Sequence, residues 1–134
     1  LSVLVYYGAD RKGEDVAASA RCLASHDVVI TTYGTLTAEA RAGQRSAKKA
    51  TAAAVVIDEA GAETEEKEQQ QQQRELIAAK SPLLSVDWFR VILDEAHVIR
   101  NRATETARAV FLLKAQRRWC LTGTPIQVRF GSRF

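Results

Sequence analysis

Val91-Ile92-Leu93-Asp94-Glu95-Ala96-His97 is the stretch on which the fold turns. Trp88, Phe89 and Arg90 lead into it, and the aliphatic run reads as a buried strand that delivers two adjacent carboxylates where it ends. In open α/β sheets, ligands bind beyond the carboxyl ends of the strands. Neighbouring strand residues point in opposite directions, so Asp94 and Glu95 can take separate tasks as the strand runs out. One acid can hold a hydrated Mg²⁺ while the other orients and deprotonates an attacking water. Acids also cap helices that follow strands, so the pair alone does not choose between these readings. Val55-Val56-Ile57-Asp58-Glu59-Ala60-Gly61 repeats the pattern with Gly61 where His97 stands, inside an Ala- and Gln-rich segment. It reads as chance or helix-capping sequence, so the surroundings of the motif must decide.

Outward from the acids, strands and helices alternate. Upstream, Leu1 to Tyr7 is apolar and rich in β-formers and reads as a short buried strand ending in a turn at Gly8 and Asp10. Asp15 stands as N-cap of a helix reaching Ser25, with Val16, Ala20 and Leu23 at helical spacing. Val28 to Thr32 follows as a second buried strand bounded by Gly34. From about 37 to 81 the composition shifts to Ala, Lys, Glu and Gln, including the run Gln69 to Gln73, which marks a low-complexity insertion. Its residues favour helix but offer few apolar side chains to dock, so a mobile helix or disorder is expected until Pro82. The acid-bearing strand spans Trp88 to Asp94. A helix is predicted over Thr104 to Lys114, with Ala107, Val110, Phe111 and Lys114 on related faces, and a short fourth strand over Arg118 to Leu121. Thr122-Gly123-Thr124-Pro125 ends it. The class is α/β with a mainly parallel sheet and flanking helices.

The chain has 134 residues, which allows one domain at most. A formal charge of +3 makes no argument for nucleic acid by itself. Between Val98 and Phe134, however, eight Arg or Lys face the single acid Glu105. A solvated helix face is the plain reading of that run. Cys22 and Cys120 lie far apart without partners at metal-ligand spacing, so they read as buried, reduced thiols. No apolar run approaches the roughly 20 residues that span a bilayer, and no leader pattern is present, so a soluble intracellular protein is expected. The start without Met, directly on an apolar run, suggests further sequence upstream.

Context around the acids then carries a resemblance. Asp27-Val28-Val29-Ile30-Thr31-Thr32-Tyr33-Gly34 stands upstream; Val98-Ile99-Arg100-Asn101 follows His97, and Leu121-Thr122-Gly123-Thr124-Pro125-Ile126-Gln127 comes after. This ordered set resembles the Swi/Snf family of superfamily-two, DNA-dependent ATPases. Val5-Tyr6-Tyr7-Gly8 and Arg117-Arg118-Trp119 look most like its helicase-like transcription factor branch, associated with DNA repair and chromatin, whose RING finger lies elsewhere. The resemblance implies part of the first ATPase lobe, an incomplete RecA-like parallel sheet of P-loop NTPase type.

It also implies roles. Asp94 would bind Mg²⁺ through water and Glu95 would be the catalytic base for hydrolysis of the γ-phosphate of ATP. His97 would link the nucleotide site to the coupling motif of Thr122, Gly123, Thr124 and Gln127, though Gly and Pro also suit an ordinary strand-ending turn. Thr31, Thr32 and Tyr33, with Arg100 and Asn101, would follow the backbone of double-stranded DNA through hydroxyls, amides and charge. Ordinary strand threonines and a solvated arginine explain the same letters. Trp88, Phe89 and Trp119 read as core aromatics and His26 as structural. A nuclear, chromatin-associated protein with no membrane partner is implied.

The pattern also breaks. No Gly-x-x-x-x-Gly-Lys loop occurs, and Val128 to Phe134 departs from the family's Leu-rich continuation. With neither that loop nor a second lobe bearing arginine fingers, residues 1–134 alone are not expected to hydrolyse ATP. A truncated or degenerate copy that binds DNA or a protein partner through the cationic end is the competing reading. An RNA helicase of the Asp-Glu-Ala-His class explains the acids, but its coupling motif usually reads Ser-Ala-Thr.

Overall fold

A computed structural model describes residues 1–7, 16–52 and 75–123. The expected Asp15 cap, the turn at Gly8 and Asp10, the Val55 to Gly61 repeat and the glutamine run lie outside the described residues. Strand β1 (Val3–Val5) leads to helix α1 (Val16–Ala24), strand β2 (Val28–Ile30) and helix α2 (Tyr33–Ala52). A helical turn over 75–78 precedes the short helix α3 (Pro82–Ser85), strand β3 (Asp87–Leu93), a 3-10 turn (Ala96–Ile99), helix α4 (Glu105–Leu112) and strand β4 (Lys114–Cys120).

All strand pairing is parallel, as the alternation of strands and helices predicts. β1 pairs with β2 from Val3 opposite Val28 to Val5 opposite Ile30. β3 pairs with β4 from Asp87 opposite Lys114 to Leu93 opposite Cys120. The ladder therefore consists of two pairs among the described residues. β4 is longer than its Arg118 to Leu121 expectation and begins at Lys114, because the helix before it ends at Leu112. Asp27 ties the first pair at its start, accepting the Ser2 N–H at 2.7 Å and the Ser2 hydroxyl at 3.0 Å. Those two hydrogen bonds, backbone first, hold its carboxyl below the usual range.

Local chemistry explains where the helices begin. The Thr32 hydroxyl accepts the Thr35 N–H at 3.1 Å and closes the start of α2. Ser81 caps α3 through the Leu84 N–H, with Pro82 at the first helical position. Thr104 caps α4 by accepting the Ala107 N–H at 3.2 Å.

The core lies between the helices and one face of the strands. Leu23 of α1, Leu83 and Leu84 of α3, Leu93 of β3 and Ala107 and Val110 of α4 are all buried. α2 joins them and packs most extensively on α4. Here the structure departs from the expectation of an undocked insertion from about 37. Leu36, Ala40 and Ala47 of α2 are buried, as is Ile77 on the far side of the segment. With Gly43 they form a stripe at helical spacing, and small side chains substitute for bulk by letting backbones approach. A Cβ on Gly43 would stand 2.7 Å from the Ile77 carbonyl oxygen. Glu39 on the same helix is buried and accepts from the Tyr6 hydroxyl at 2.8 Å, the Ser81 hydroxyl at 2.6 Å and the Leu83 N–H at 3.2 Å. One carboxylate thus ties β1, α2 and α3 together.

Other expectations change with the packing. The strands expected to be buried expose alternate residues: Val3, Val5, Val28 and Ile30 are open, while Leu4 and Val29 face the core. On the second pair Phe89, Ile92, Trp119 and Leu121 are exposed, so Phe89 and Trp119 are not core aromatics; only Trp88 is partly buried, donating its indole N–H to the Leu83 carbonyl at 2.9 Å. Arg117 sits over the Phe89 ring and Arg90 over the Trp119 ring. Among the described residues, each strand pair turns one face to the common core and leaves the other exposed. Cys22 is exposed and Cys120 only partly covered, contrary to the buried thiols expected. Among the described residues, no helix is long and apolar enough to cross a membrane.

Candidate active site

Leu93, 5% exposed, anchors the end of β3, and the chain then turns out of the sheet. Asp94 and Glu95 are both exposed, whereas Ala96 and Ile99 are buried and pin the 3-10 turn that follows. Between these anchors Glu95 takes a left-handed backbone conformation, φ 48° and ψ 48°, which is the single positive φ at a non-glycine residue among those described. Such a conformation costs about 1 kcal/mol or more and persists where neighbours hold it. The Glu95 N–H donates to Asp94 Oδ1 at 2.9 Å, and the Ala96 N–H donates to the Leu121 carbonyl at 2.9 Å. The Glu95 carboxylate stands 2.9 Å from His97 Nδ1.

The end of β4 and the start of α2 meet this turn. The Leu121 N–H donates to the Leu93 carbonyl at 2.8 Å, so the chain leaving β4 is tied to the acid turn through Leu121, and Thr122 and Gly123 follow it. Thr122 is partly buried and Gly123 exposed, with open space around its α-carbon; Thr124 and Gln127 lie outside the described residues. From the first residue of α2, the Tyr33 hydroxyl donates to the Asp94 carbonyl at 2.7 Å. Burial, and then the nearby Cys120, Asp94 and Glu95, push that phenol up to about 12, so it remains a donor throughout the neutral range. Burial likewise pushes the Cys120 thiol up.

The residues expected along a nucleic-acid track are engaged within the chain. The Thr31 hydroxyl donates to the Tyr6 carbonyl at 2.7 Å, and Thr32 caps α2. Asn101 Oδ1 accepts the Ala103 N–H at 2.9 Å and shapes the loop into α4. Arg100 is exposed next to it. His26, expected to be structural, has Nδ1 2.8 Å from the Cys22 carbonyl at the end of α1.

With strand ends, acids and turn in place, comparison with known proteins gives the family. Residues 1–130 match the SNF2-related domain. The chain belongs to that family. It is 39% identical over 127 residues to DNA repair protein RAD5B of Arabidopsis thaliana, covering 95% of this chain and 7% of that protein. It is 36% identical over 135 residues to DNA repair protein rad5 of Aspergillus fumigatus, covering 100% of this chain and 8% of that protein. The helicase-like transcription factor CHR28 of Arabidopsis thaliana is 39% identical over 145 residues, with 95% of this chain and 14% of that protein covered. The chain thus spans a small part of the length of the curated relatives it matches.

In this SNF2-related domain Asp94 and Glu95 are the exposed carboxylates at the end of β3. Asp94 is exposed and its Oδ1 holds the Glu95 N–H. No group of three or more His, Cys, Asp or Glu able to hold a metal occurs among the described residues. An exposed carboxylate oxygen is the donor type that hard, hydrated cations take. It would be a poor cage for a transition metal. Sequence reasoning missed the Tyr33 hydrogen bond and the left-handed Glu95. Tyr33 and Asp94 are 61 residues apart, and no local pattern reports such a contact.

Proposed function

We propose that this SNF2-related domain belongs to the first ATPase lobe of a nuclear, ATP-driven translocase that works on duplex DNA and chromatin in DNA repair. In this reading Glu95 is the base and Asp94 is the acid that holds Mg²⁺ through water. The observation that carries it is the meeting of the first residue of α2 with the ends of β3 and β4 around Asp94 and Glu95. The names of the relatives support the repair role, and the family's resemblance to DNA-dependent ATPases supports the reaction.

The chain's own residues would divide the work. Glu95, exposed at the strand end, would take the proton of the attacking water, with His97 beside its carboxylate to orient it. Asp94 Oδ2 would accept a water of the hydrated cation. Bound Mg²⁺ would supply charge neutralisation on the phosphate oxygens. Thr122 and Gly123, joined through Leu121 to the acid turn, with Thr124 and Gln127 after them, would carry a change at the acids into the next segment. Thr31, Thr32, Tyr33, Arg100 and Asn101 would run along the DNA backbone through exposed charge and main-chain N–H groups that donate to phosphate oxygens. The phosphate-cradling Gly-Lys loop does not occur within residues 1–134, so turnover is assigned to a longer protein.

The test is made on the full-length protein. Glu95→Gln is expected to lower DNA-stimulated phosphate release by about a hundredfold or more while binding of ATP stays within about twofold. Turnover at the wild-type rate would remove Glu95 from the role of base.

A further inference from the structure

We infer that Tyr33 is a positioning residue for the acid pair: its hydroxyl holds the peptide unit between Asp94 and Glu95 and thereby keeps Glu95 in its left-handed conformation. The inference rests on the reading of Glu95 as the hydrolytic base. The geometry is specific. A peptide unit presents one carbonyl and one N–H, and rotating it changes the ψ of the residue before and the φ of the residue after. In this unit the Asp94 carbonyl accepts from Tyr33 at 2.7 Å, and the Glu95 N–H donates to Asp94 Oδ1 at 2.9 Å. Both ends are therefore held, the first by a side chain from a different element. Without the phenol, the plane can turn and let Glu95 fall back to negative φ, where L residues are more stable.

The next peptide unit is secured independently. The Ala96 N–H donates to the Leu121 carbonyl, and the Glu95 carbonyl accepts the Val98 N–H at 3.0 Å. Loss of Tyr33 therefore loosens one joint without releasing the turn. Tyr33 can hold its station because Thr32 caps the helix it opens and because its ring packs against the core. Tyr33 thus carries an engagement toward the acids that its place in a DNA-facing segment does not require.

The experiment compares Tyr33→Phe with wild type in the full-length protein, by DNA-stimulated phosphate release and by amide hydrogen exchange over residues 93–100 and 114–121. Phenylalanine keeps the ring and removes the hydroxyl. The expected result is a fall in kcat of about tenfold, with KM for ATP and the half-saturating duplex concentration within about twofold. Exchange should quicken over 93–100 and stay unchanged over 114–121. If the half-saturating DNA concentration rises while kcat at saturation holds, the hydroxyl serves the DNA track and the inference is overturned. Equal loss of protection over both segments means general loosening and overturns it too. If wild type shows no DNA-stimulated release, the hydrolytic reading fails, and the exchange pattern alone decides whether Tyr33 holds the turn.

Discussion

At the scale of single residues, the molecule relies on carboxylates used in opposite ways. Glu39 is a buried acceptor for Tyr6, Ser81 and Leu83, whereas Asp94 and Glu95 stand in solvent with their backbone held from below. A buried acceptor with three donors cannot be removed cheaply, since each donor left without a partner bears its own desolvation cost. Glu39→Ala is expected to destabilise the domain by about 3 kcal/mol, read as a lower urea midpoint in pulse proteolysis of the full-length protein. An unchanged midpoint would mean that the three donors find water, and that Glu39 is not the tie between β1, α2 and α3. The exposed Arg41 to Glu105 ion pair is a contrasting case: both side chains are more than half exposed, and solvent leaves such a pair worth little.

At the scale of elements, α2 shows how a helix with few large side chains docks. Its buried stripe of Leu36, Ala40 and Ala47 contributes modest area, but Gly43 lets the backbone of Ile77 come into direct contact. In an open helix, Gly→Ala stabilises by about 1 kcal/mol. At Gly43 the added carbon would meet a backbone oxygen and the Ile77 Cα as well as its side chain, so the sign reverses. Gly43→Ala should lower the urea midpoint, while Gly34→Ala, where the nearest atom is 3.8 Å away, should leave it unchanged or raise it. Equal effects at the two sites would show that α2 does not depend on close approach to the 75–78 turn. This docking was hard to read in advance, because a stripe of Ala and Gly carries little hydrophobic signal even at the right spacing.

At the scale of the whole molecule, each of the two strand pairs has one face covered and the other open among the described residues. Val3, Val5, Val28, Ile30, Ile92, Trp119 and Leu121 are all exposed, and neither strand pair is extended by a further strand among the described residues. Open apolar strands of this kind pair with whatever is available. Residues 1–134 prepared alone are expected to self-associate, with a sedimentation mass that rises with concentration at micromolar levels and falls back when Ile92 and Trp119 are both replaced by Lys. A concentration-independent monomer would show that the open face is protected in solution.

How far each level could be read in advance follows from the range of the forces involved. Strand and helix identity, parallel pairing and the delivery of Asp94 and Glu95 at a strand end were legible from local periodicity and from short polar runs after apolar ones. The family followed from motif order along the chain. The tertiary structure decided which strand residues face the core, that both ends of the Ala-rich segment are packed, that Phe89 and Trp119 are exposed, and that Tyr33 reaches Asp94. These outcomes depend on which distant element arrives at a given face. A pattern of neighbours along the chain carries no record of that arrival, whereas burial and a hydrogen bond across 61 residues exist only once the chain has closed on itself.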